Sequence, residues 1–103
     1  MFGEVFISQF PVTSGMMSKV RPVLVLYDLG ADVILCRVTS AQCSGALDVV
    51  LSQWQAAGLL KPSVARLDRL VTAEKSVLLR RLGYLGPADL AAVRARWNEH
   101  MRL

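Results

Sequence analysis

The sequence predicts a mainly β chain with some α (an α+β fold), built as a small curled antiparallel barrel with one helix packed on it. Three observations carry that expectation. About five short apolar runs, several rich in β-branched residues, alternate with turn residues. A single short helical turn interrupts them, and one helical stripe closes the chain. At 103 residues a single domain over residues 1–103 is expected, long enough to hold a core without disulfides.

The elements follow in order. From Gly3 to Phe10, Val5 and Ile7 alternate with Phe6, Ser8 and Gln9 as a first strand, and Pro11 ends it. Residues 12–20 read as a loop. Val23–Tyr27 is wholly apolar, as in a central strand covered on both faces. Asp28-Leu29-Gly30-Ala31-Asp32 is a turn with Gly30 free to take positive φ, and Val33–Thr39 completes the hairpin. Residues 40–46 form a loop before a short strand, Leu47–Leu51. Ser52-Gln53-Trp54-Gln55 has capping-box spacing and opens a helical turn closed by Gly58. Ser63–Val71 is extended, and Val77–Leu82 continues the sheet to Gly83. Gly86-Pro87 starts the last helix, with Asp89 favouring its dipole. There Leu90, Val93, Trp97 and Met101 form the apolar stripe, and Arg94, Arg96, Glu99 and Arg102 lie off it.

Composition narrows the function. The chain is 53% hydrophobic with no apolar run of the ~18 residues needed to span a bilayer, so the excess fits a subunit interface better than a membrane. Glu4 stands where a secretory leader would be positive, and the expected compartment is the cytoplasm. Cys36 reads as a small core residue and Cys43 as a free loop thiol. One histidine, His100 near the C-terminus, and the absence of CxxC argue against a zinc site. The formal charge is +4, with 12 Lys+Arg against 8 Asp+Glu. Most of those cations are arginine, which matches phosphate geometry and makes an anionic partner plausible. No Walker A loop, GxGxxG, HExxH or GxSxG is present.

What remains is polar residues at strand ends. By itself Arg21 is a solvated charge beside a turn, and Thr39-Ser40 a strand end. Pairing outward from Tyr27 and Val33, however, sets residue 21 opposite residue 39. A guanidinium and two hydroxyls at one rim suffice to hold one phosphate. In Pro62-Ser63-Val64-Ala65-Arg66-Leu67-Asp68-Arg69-Leu70, an extended chain puts Val64, Arg66, Asp68 and Leu70 on one face. Arg66 and Asp68 are then either a surface ion pair or a platform for phosphate or base.

Together these residues resemble the MazF/PemK toxins of bacterial type II toxin–antitoxin systems. The likeness runs through Gly3-Glu4-Val5, Phe10-Pro11, Lys19-Val20-Arg21-Pro22-Val23-Leu24-Val25, Val38-Thr39-Ser40, Gly58-Leu59, Pro62–Asp68 and Leu82-Gly83 to the final helix. It implies an SH3-like barrel and a homodimer. It also implies an endoribonuclease that uses no metal and no cofactor, cuts single-stranded RNA, is silenced by a cognate antitoxin, and binds DNA in complex with it. The family's catalytic arginine falls on Arg21 and its threonine on Thr39, with Ser40 adjacent. Lys19, Arg66, Asp68, Ser14 and Met16 become the RNA-contacting candidates. RNA supplies its own nucleophile, the 2′-OH, so no serine or cysteine nucleophile is needed. Several family members carry His or Glu in the first loop. Here Thr13-Ser14-Gly15-Met16-Met17-Ser18 holds no titratable group. Asp68 is the candidate proton acceptor, and Met16 and Met17 offer an adaptable contact to a base or an antitoxin helix. The alternative is a module of the same fold that has lost catalysis and binds RNA or protein.

Overall fold

The computed structural model describes residues 1–11 and 18–102, with backbone only at Pro11 and Ser18. Its strands are β1 (Glu4–Pro11), β2 (Ser18–Asp28), β3 (Asp32–Thr39), β4 (Asp48–Leu51), β5 (Ser63–Glu74) and β6 (Leu78–Tyr84), with a 3-10 turn at Lys75–Val77 and a C-terminal helix α1 (Pro87–His100). They form one antiparallel sheet in the order β4-β5-β3-β2-β1-β6. The α+β class and the order of elements match the expectation. The barrel does not close by hydrogen bonds, because among the described residues no ladder joins β6 to β4. Packing joins the two edges instead. Gly58, at φ 81°, lies so close to the Leu82 carbonyl that a Cβ there would collide with it, and a Cβ on Gly83 would sit 2.7 Å from the Ala57 carbonyl. Glycine at both positions lets the chain after β4 lie against β6.

Consecutive burial of Val23, Leu24 and Val25 at 0% exposure shows β2 covered on both faces. Leu24, with Val5, Cys36, Val38, Ala65, Leu67 and Val93, belongs to the larger core, under α1 and β4. Val23 and Val25 join Phe10, Val33 and Leu35 on the other face, where Val77 and Leu78 close over them. The β2–β3 hairpin tip is pinned from outside. Asp28 Oδ1 accepts the Gly30 N–H at 2.8 Å and the Lys75 ammonium at 2.6 Å. Those two contacts, the Lys75 one first, hold the Asp28 carboxyl below its usual range.

Several local expectations change. Ser18–Val20 is strand rather than loop, because it pairs with Gln9, Phe10 and Pro11 of β1. Residues 52–58 make successive turns rather than a capped helix, with Ala56 N–H donating to Gln53 O and Gly58 N–H to Gln55 O. Asp89 is the reason. It is 1% exposed and accepts three hydrogen bonds, from the Ser52 N–H (2.9 Å), the Ser52 hydroxyl (2.9 Å) and the Gln53 N–H (2.8 Å). The residue that sequence assigns to a helix dipole thus fastens α1 to the turn after β4. Gln53 Oε1 returns the favour by accepting the Ala88 N–H at 3.2 Å. Arg96, off the apolar stripe of α1, donates from Nη1 to the carbonyls of Ala46 and Asp48. Arg94 stacks 5.2 Å above Phe2, while Met101 falls beyond the helix as its C-cap. No helix among the described residues is long and apolar enough to cross a membrane.

Removing the Asp89 carboxylate takes the acceptor from three donors, the Ser52 N–H, the Ser52 hydroxyl and the Gln53 N–H. Asp89→Ala is expected to lower folding stability by about 3 kcal/mol, read from the shift of the urea unfolding midpoint at constant m.

Candidate functional site

The hairpin register decides the site. The β2–β3 pairing begins at Asp28↔Val33, one residue off the expected Tyr27–Val33 start, and runs through Tyr27↔Ile34. A bulge at Leu26 then shifts it to Val25↔Leu35, and the pairing ends at Val23↔Arg37. Continued by two residues, that register sets Arg21 opposite Thr39. The bulge cancels the error at the turn. Arg21 and Thr39 line one groove of about 480 Å³, together with Ser40, Lys61 and Arg80.

Each polar group there has a defined capacity. Thr39 Oγ1 accepts the Ala41 N–H at 3.2 Å, which leaves its hydroxyl proton to donate outward. Ser40 is exposed and is shared with a second depression formed by residues 40–44 and 61–64. Arg21 is half-buried, and its Nε is shut off from solvent with no hydrogen-bond partner among the described residues. Among the described residues, the charged side chains that line the groove are Arg21, Lys61 and Arg80, all cations. Lys61 and Arg80 escape the sequence reading. One lies in a loop before a proline and the other on the last strand, opposite Ile7, and only the folded sheet brings them to Arg21.

The other candidates fall elsewhere. Ser14 and Met16 lie outside the described residues. Lys19 is exposed at the start of β2, paired with Phe10 and off the groove. Arg66 and Asp68 do not form a common extended face. Cys36 pairs with Leu70 and Arg37 with Arg66, so residues 67–69 have no β3 partner and bulge between them. Arg66 instead donates its Nε to Asp48 Oδ1 at 3.1 Å, a carboxylate whose side chain is only 3% exposed. That bond raises the Arg66 guanidinium above its usual range. Asp48 also accepts the Gly45 N–H at 2.7 Å, which ties the 40–46 loop to β4. Asp68 is exposed on β5 and does not line the groove. His100 is exposed, and among the described residues no three His, Cys, Asp or Glu are grouped to hold a metal.

A curled, six-stranded antiparallel sheet with one helix, carrying at one rim a groove lined by cations and a threonine, defines a small α+β domain. The chain belongs to the PemK-like, MazF-like toxins of type II toxin–antitoxin systems, whose profile matches residues 1–101. Solved structures agree. The Mycobacterium tuberculosis toxin MazF-mt6 is 27% identical over 92% of this chain and 93% of its own, with a TM-score of 0.74. An endoribonuclease from a mycobacterial species is 18% identical, covering 98% of this chain and 89% of its own at a TM-score of 0.76. Another mycobacterial endoribonuclease, solved with its cognate antitoxin, is 19% identical over 98% and 93% at 0.75. No curated protein matches the chain by sequence.

Arg66 separates a structural role from an RNA-contacting one. Arg66→Ala leaves the buried Asp48 carboxylate without its cation and is expected to lower stability by roughly 2 kcal/mol, measured by chemical denaturation. A stability equal to the unsubstituted protein, with RNA binding lost, would return Arg66 to the RNA surface.

Proposed function

We propose that this chain is the toxin of a type II pair and an endoribonuclease acting on single-stranded RNA in the cytoplasm. The observation that carries this reading is the shared groove of Arg21 and Thr39, one supplying a fixed positive charge and the other a free hydroxyl proton. Family membership and the endoribonuclease neighbours support it.

In this mechanism the RNA 2′-oxygen, its proton passing to water, attacks the adjacent phosphorus, the bond to the 5′-oxygen breaks and that oxygen takes a proton from water, and a 2′,3′-cyclic phosphate and a 5′-OH end result. Negative charge builds on the non-bridging oxygens in the transition state. Arg21, permanently protonated and only partly buried in the groove, stabilises that charge. Thr39 donates its hydroxyl proton to a phosphate oxygen and fixes its position, with Ser40 adjacent. Lys61 and Arg80 attract the strand electrostatically. Residues 12–17 contain no titratable side chain, and Asp68 lies off the groove. Its place on β5 therefore does not support a role as the base, and the catalytic effect is assigned to charge stabilisation and orientation.

The antitoxin complexes of related structures support a cognate antitoxin for this chain, whose acidic segment would compete for the same cations. A homodimer is proposed from the exposed apolar side chains Val20, Leu60 and Leu79. Sedimentation at micromolar concentration should give about twice the 11.3 kDa chain mass, and a monomer would refute it.

Purified protein is expected to cut unstructured RNA in EDTA and leave 5′-OH ends. Arg21→Ala should slow single-turnover cleavage by at least ~10²-fold. Intact RNA, or an unimpaired variant, would overturn the reading in favour of a non-catalytic binding module.

A further inference from the structure

Four arginines converge where β2, β3 and β5 meet. Arg37 stands on β3 across from Val23 of β2 and Arg66 of β5. The 67–69 bulge lets Arg66 and Arg69 both approach it. Burial first, then the charges of Arg21, Arg66 and Arg69, push the Arg37 guanidinium below its usual range. The four are not equivalent. Arg66 is neutralised by Asp48. The Nε atoms of Arg21, Arg37 and Arg69 are closed to solvent and have no hydrogen-bond partner, and no ion pair to these three side chains is found among the described residues.

Such a cluster is costly to fold. Like charges repel, and a desolvated donor left unmade costs more than a formed hydrogen bond returns. All three side chains are only partly buried, so an anion that reaches their outer guanidinium nitrogens offsets the repulsion, and a phosphodiester offers oxygens that accept from those forks. The position of the cluster favours a nucleic-acid strand. Arg37 and Thr39 lie two residues apart on β3, on one face, a step of about 6.7 Å. That step is comparable to the separation of neighbouring phosphates in an extended strand.

We propose that Arg21, Arg37 and Arg69 bind a backbone phosphate of the RNA next to the one held between Arg21 and Thr39. Arg37 and Arg69 are thus binding residues that anchor the strand along β3 without touching the reacting atoms. This rests on the endoribonuclease reading above.

The test uses a fluorescent 2′-O-methyl decanucleotide, which has no 2′-OH to attack and cannot be cut. Its anisotropy is followed between about 50 and 200 mM NaCl for the unsubstituted protein, Arg37→Gln, Arg69→Gln, and Arg102→Gln as an exposed control of equal charge change. Each of the first two variants is expected to weaken binding roughly tenfold and to flatten the salt slope by about 0.7, while the control does neither. Both should keep or raise the thermal midpoint, since a repelling charge is removed, whereas a residue with a merely structural role would lower it. Binding by both variants indistinguishable from the Arg102 control would overturn the proposal. So would Arg37-dependent binding of a polyglutamate peptide with no such dependence for the oligonucleotide. If the unsubstituted protein binds the oligonucleotide through Arg37 but cuts no RNA, the phosphate site stands and the endoribonuclease reading falls. Cleavage together with unchanged binding by the variants gives the reverse.

Discussion

The antiparallel pairing of β2 with β3, and its single bulge at Leu26, is the constraint on which the site depends. Side chains alternate across a strand with period two, so a shift of one residue sends each of them to the opposite face. Without the bulge, the pairing that begins at Asp28↔Val33 would set Arg21 out of step with Thr39. With it, the cation and the hydroxyl share one groove. The rest of the structure holds that register in place. Lys75 clamps the hairpin tip, consecutive buried residues Val23–Val25 lock β2 between two apolar clusters, and β1 pairs with β2 from Leu24 to Ser18.

A second constraint is electrostatic. The sheet concentrates positive charge at one rim and places acids where they do structural work. Asp48 holds Arg66 and the loop before β4, and Asp89 holds the turn that follows it. The groove itself is lined by cations, so its affinity for an anion is not blunted by neighbouring carboxylates. Arg21, Arg37 and Arg69 add like charge at this rim, and among the described residues their inner nitrogens have no hydrogen-bond partner.

Much of the fold was legible because its signals are local. Alternating or continuous apolar runs marked the strands, Gly30 and Gly58 marked positions that take positive φ, and Pro87 marked the start of α1. The sharing of one groove by Arg21 and Thr39 is also readable, since the bulge at Leu26 offsets the one-residue difference at the turn. Bulges leave little trace in composition, so the 67–69 bulge that brings Arg66 and Arg69 to Arg37 could not be read, and Arg37 passed as one more strand residue. Buried polar contacts were equally hidden. Asp89, Arg96 and Ser52 look like surface or capping residues until strands distant in sequence come beside them. Lys61 and Arg80 join the groove only through the close approach of the two sheet edges at Gly58 and Gly83.

The central claim is that Arg21 and Thr39 act on one phosphate. A double-mutant cycle tests it most directly, comparing single-turnover cleavage by the unsubstituted protein, Arg21→Ala, Thr39→Val and the double variant. Groups that stabilise the same transition state are non-additive. The double variant is therefore expected to be no slower than Arg21→Ala by more than about threefold. A loss equal to the product of the two single losses would show that they act independently and would contradict the account.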